Sequence, residues 1–82
     1  MSHVPHELHD EFPAAAAALH RLKTSSPHFN ALADRHHALN HEIYRIEAGL
    51  DAASDERVET LKKERLVLLD PVATMLEEVN HG

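Results

Sequence analysis

Nine histidines are the chemical oddity of this 82-residue chain, which has no cysteine and no tryptophan. His37 and His41 stand four apart, so on a helix they share one face, the spacing at which two imidazoles can reach one metal ion. A structural zinc takes four protein ligands and a catalytic zinc three, so the pair needs Asp34 or a partner chain to complete a site. His3, His6 and His9 could line one face of an N-terminal turn in the same way. The plain alternative is that these imidazoles sit on a solvated helix surface. No cofactor is expected, and histidine-based metal binding is kept as the alternative function.

Other chemistries are excluded more firmly. Without cysteine there is no disulfide, thiolate metal site or thiol nucleophile. Acid–base catalysis needs groups converging in a concave, water-excluding pocket, and a few thin helices with one tyrosine and no glycine-rich loop do not build one. No Ser, His and Asp set can be singled out, so an enzyme is not expected. Lys and Arg number 8 against 14 Asp and Glu, a formal net charge of -6, and duplex DNA calls for a basic face. The cluster Lys62-Lys63-Glu64-Arg65 could touch RNA or an acidic partner, but Glu59 and Glu64 interleave with it, as on a solvated helix face. No run approaches the ~20 apolar residues of a membrane span, and Ala14 to Leu19 follows the acidic stretch Glu7 to Glu11 rather than a basic leader, so a cytoplasmic protein with no membrane association is expected.

The elements that must position these residues are helical. Residues 1–82 are too few for more than one domain. Ser26-Pro27 reads as a cap followed by proline at the first helical position, Gly49 as a left-handed stop, and Ser54-Asp55-Glu56 as a second cap with acidic first turn. The spans are then about 5–23, kinked at Pro13, which interrupts it to leave a short turn from about Pro5 to Glu11 and a main helix from Pro13 to Lys23, with Thr24 to Ser26 as a turn; 27–48; and 55–80, kinked at Pro71. Phe29, Leu32, His36, Leu39, Ile43, Ile46 and Leu50 alternate steps of three and four, as do Val58, Leu61, Arg65, Leu68, Val72, Met75 and Val79. These are heptad seams. A short connection makes the two helices antiparallel, so the fold class is all-α, an antiparallel coiled-coil helical hairpin with an additional N-terminal helix.

That register sets Ile46 against Leu61, Leu39 against Leu68, Leu32 against Met75, and His36 against Val72. Arg65 falls on the seam and is expected to pair with Glu42 or Glu47. Leu66, Leu69, Ala73 and Leu76 lie beside the seam and form a candidate interaction face wider than one partner helix can cover. Two covers are available: the N-terminal segment, through Leu8, Phe12, Ala15, Leu19 and Leu22, or a second copy. The expectation is a homodimer or other homo-oligomer forming a helical bundle, with a further protein partner of unknown identity.

The stretch Leu22-Lys23-Thr24-Ser25-Ser26-Pro27-His28-Phe29, then Leu39-Asn40-His41-Glu42-Ile43-Tyr44-Arg45-Ile46-Glu47, then Leu61-Lys62-Lys63-Glu64-Arg65-Leu66-Val67-Leu68-Leu69-Asp70, resembles the YdcH-like family of small bacterial proteins of unknown function. The resemblance runs from about Val4 to Leu76. Val4-Pro5-His6-Glu7-Leu8 and Glu11-Phe12-Pro13 resemble the longer members, while Pro71 departs from the helix-compatible residue usual there. It implies an all-helical fold and supplies no catalytic residues. Together these readings point to a small interaction or self-assembly module.

Overall fold

Three local signals decide where the long helices begin and end. In this computed structural model, which describes residues 6–81, the Oγ of Ser26 accepts from the Phe29 N–H at 3.1 Å and that of Ser54 from the Arg57 N–H at 3.1 Å. Each hydroxyl satisfies a first-turn donor that has no helical partner. At the other end of the first long helix, Gly49 has φ +79. Its N–H bonds the Ile46 carbonyl at 3.1 Å and the Leu50 N–H bonds that of Arg45 at 2.8 Å, a paired closure that requires a left-handed residue.

Among the described residues the order is α1 (Leu8–Glu11), a 3-10 turn (Pro13–Ala15), α2 (Ala16–Ser25), α3 (Pro27–Glu47) and α4 (Asp55–His81), with no strand. The fold is all-α. His3 and the helix start expected at Pro5 lie outside the described residues.

The N-terminal segment differs from expectation at its C-terminal end. Pro13 interrupts the helix after Glu11, because the residue before a proline is crowded out of the α region and Phe12 sits at φ -128, ψ 64. Thr24 and Ser25 are helical rather than a turn. Their hydroxyls fold back onto the Arg21 carbonyl at 3.0 and 2.6 Å, leaving Ser26 alone to change direction.

The start of α3 packs against the end of α4, so the two run antiparallel. Ala18 and Leu22 of α2 join Phe29, Val72 and Leu76 in one buried cluster, with Leu8, Phe12, Leu32 and Met75 around it. Leu39, Ile43 and Leu61 form a second cluster with Ile46 and Leu68. Burying each large apolar side chain contributes roughly 1.5–3 kcal/mol. Arg35–Glu64 at 2.9 Å, Arg57–Glu42 at 3.0 Å and Lys62–Glu47 at 3.1 Å bridge α3 and α4 at the solvent edges, where such pairs contribute little individually. α4 continues through Pro71. The missing N–H leaves the Val67 carbonyl without its helical donor, at a position open to water.

Candidate functional site

α3 carries the histidine pair on its solvent face. The rings of His37 and His41 stack with centroids 6.1 Å apart, and His41 stacks in turn on Tyr44 at 6.4 Å. A Glu7 Oε1 lies 3.5 Å from His37 Nδ1. Stacked rings present faces to each other, whereas chelation needs their nitrogens to converge. Among the described residues, Asp34 included, no group of three or more His, Asp or Glu side chains is placed to hold a metal ion.

The four residues of the expected interaction face do not form one open surface. Leu66 is 67% exposed, Leu69 and Ala73 are half-buried, and Leu76 is buried. Leu76 is interior because the N-terminal segment, one of the two covers expected, packs on it: α2 reaches the C-terminal half of α4 and places Ala18 and Leu22 in the same cluster. The helical wheel missed Val67, which follows Leu66 and is 65% exposed. Val67 walls a groove between α3 and α4, floored by Leu39 and Leu68 and rimmed by Arg35, Lys63 and Glu64.

Beside the second apolar cluster lies a polar layer. Arg65 donates from Nη1 to Asn40 Oδ1 at 2.8 Å, not to Glu42 or Glu47, which bind Arg57 and Lys62 at the exposed edges. The expectation of a carboxylate partner is thus corrected: those carboxylates sit on the rim, and Asn40 is the buried acceptor within reach. Asn40 in turn donates from Nδ2 to Glu7 Oε1 at 3.4 Å, joining the residue that precedes α1 to α3 and α4. One turn before Asn40, His36 is 1% exposed, and neither ring nitrogen has a hydrogen-bond partner among the described residues. Burial pushes its pKa below the ordinary 6.5. Arg65 and His37 add to that, against the attraction of Glu7 and Glu11.

The seam register placed His36 and Arg65 inward, but sequence reasoning missed Asn40 and Glu7. The available signal was the four-residue spacing of His36 and Asn40, which puts both on one helical face. No equivalent spacing could point to Glu7.

No described helix is long and apolar enough to cross a membrane. The family model described as "Protein of unknown function (DUF465)" matches residues 29–76, which take in most of α3, the connection and most of α4. The chain is 34% identical over 67 residues to "Uncharacterized protein YdcH" of Escherichia coli (strain K12), a match covering 82% of this chain and 90% of that one. "Uncharacterized protein YdcH" of Shigella flexneri matches to the same extent. No solved structure matches the chain. With the family model covering more than half of its length, the chain belongs to the DUF465 family of proteins of unknown function.

Proposed function

We propose that the protein is a small interaction module of the cytoplasm that assembles with a second copy of itself through the outward side of α4. The observation that carries this reading is the consecutive pair Leu66 and Val67, 67% and 65% exposed at the middle of the longest helix. Leu69 and Ala73 extend the apolar strip on one side, and the groove floored by Leu39 and Leu68 extends it on the other. A small chain buries a limited fraction of its apolar surface by itself, and association offers the rest a partner. Light scattering over a concentration series tests the reading. A dimer is expected, with Leu66→Asp reducing the mass while helicity stays unchanged. A monomer at every concentration overturns self-assembly.

Metal binding is the competing reading, favoured by one observation: the Glu7 carboxylate near the stacked His37–His41 pair.

A further inference from the structure

We propose that two copies of the chain meet antiparallel along α4, about a two-fold axis between Leu66 and Val67, with Lys63 of each copy paired to the partner's Asp70. The arrangement rests on self-assembly through α4 and specifies how the two helices lie. A two-fold contact needs a surface that complements itself, residue i meeting residue j and residue j meeting residue i. The outward side of α4 has that property. Leu66 and Val67, 67% and 65% exposed, form its apolar centre. Lys63 precedes Leu66 by three residues and Val67 by four, and Asp70 follows Val67 by three and Leu66 by four. Each charge is thus close to one helical turn from the centre, on the same stripe.

Both charges are uncommitted within the chain. Arg57, Lys62 and Arg65 of α4 engage Glu42, Glu47 and Asn40 of α3, and Glu64 engages Arg35. Lys63 and Asp70 are exposed and enter no ion pair among the described residues. The residues three and four positions from Asp70 are Leu66, Val67, Ala73 and Thr74, none of them a cation.

The direction of the partner follows from these signs. A parallel contact would set Lys63 against Lys63 and Asp70 against Asp70. The antiparallel one turns both into opposite-charge contacts and also opposes the two helix dipoles. With a rise of about 1.5 Å per residue, each pair lies about 5 Å along the helix from the axis and flanks the packed Leu66 and Val67 side chains. On the same stripe Glu56 comes towards the partner's Glu77. That approach is about 16 Å from the axis, where crossing helices have diverged and salt screens exposed charges.

Charge reversal tests the arrangement. Dissociation constants are measured by sedimentation equilibrium for the unaltered chain, Lys63→Glu, Asp70→Lys and the double variant carrying both changes. Each single reversal turns two attractions into two repulsions and should raise the dissociation constant about tenfold at low salt. Asp70→Lys is the sharper of the two, because it takes the net charge from -6 to -4 (-6 + 2) and so lowers the overall repulsion between copies. A general charge effect would tighten that dimer, whereas loss of the pair weakens it. The double variant exchanges the two charges, keeps the total at -6 and should restore the original constant. Far-ultraviolet circular dichroism should be the same for all four, since both positions are exposed. An Asp70→Lys dimer as tight as the original, or a double variant as weak as either single one, overturns the arrangement while self-assembly stands. An unaltered chain that is monomeric at every concentration overturns both.

Discussion

Arg65 and Asn40, 25 positions apart in sequence, meet at 2.8 Å across the hairpin, beside the second apolar cluster of Leu39, Ile43 and Leu61. A neutral amide receives the guanidinium, so the layer carries a charge without a carboxylate at the contact itself. Such a contact is directional in a way that leucine packing is not. Sliding α4 by one turn would strand Arg65 among apolar side chains, so the pair disfavours other registers.

Asn40→Ala should therefore cost about 1–3 kcal/mol, since it leaves a half-buried guanidinium without its acceptor. The double variant Asn40→Leu with Arg65→Met should recover much of that loss by replacing both partners with apolar groups. Urea unfolding of the two proteins decides the matter. A double variant no more stable than Asn40→Ala would show that the layer acts through something other than this hydrogen bond.

Two leucines of α4 should behave oppositely. Leu61 is 1% exposed within the second cluster, and Leu61→Ala should cost about 2–5 kcal/mol through lost transfer energy and the cavity left behind. Leu66 is 67% exposed, so Leu66→Ala should stay within about 0.5 kcal/mol for the folded monomer. Stability measured at the lowest workable concentration separates this from any contribution of assembly.

Some of this was legible in the sequence because the responsible interactions are local. Ser26, Gly49 and Ser54 each act within one turn, so residue type and position sufficed to mark the ends of α3 and the start of α4. Heptad spacing likewise put His36, Leu61 and Val72 inside. The failures are long-range. Which part of α4 is covered depends on how α2 folds back after Ser26, so Leu76 went inside while Leu66 stayed out. The partner of Arg65 depends on the depth at which Asn40 and Glu42 leave α3, which a seam assignment does not resolve. Glu7 enters through a segment that Pro13 separates from α2, beyond the reach of any periodicity.

The histidine pair makes a negative prediction. His37 and His41 stack instead of converging, and with Glu7 3.5 Å from His37 there is still no group of three donors placed to hold a metal ion among the described residues. Titrating zinc or nickel into tag-free protein, followed by calorimetry, should give no stoichiometric binding tighter than about 10 μM. Tighter binding that disappears in His41→Ala would establish the metal reading over the interaction reading.

The pH dependence of stability follows from His36. Its folded-state pKa lies below the 6.5 of an exposed imidazole, chiefly through burial, so the native chain binds its proton less readily than the unfolded one. The contribution of the neutral ring is therefore complete above pH 6.5 and is lost as pH falls from there through the folded-state value. Acid also changes the formal total, which is -6 with every histidine neutral and +3 with all nine charged (-6 + 9), so the net charge varies independently of this one site. Substitution separates the two causes. His36→Leu removes both the titration and the two unpartnered ring nitrogens, so it should stabilise the protein at pH 8 and stabilise it further at pH 5. The difference between the two gains should be at most about 2 kcal/mol, the ceiling that an exposed pKa of 6.5 sets at pH 5. His20→Leu removes one histidine from the global count at an exposed position and should show almost no such difference. Equal gains for His36→Leu at the two pH values would mean that acid acts through total charge, and that the buried imidazole is not the group that senses it.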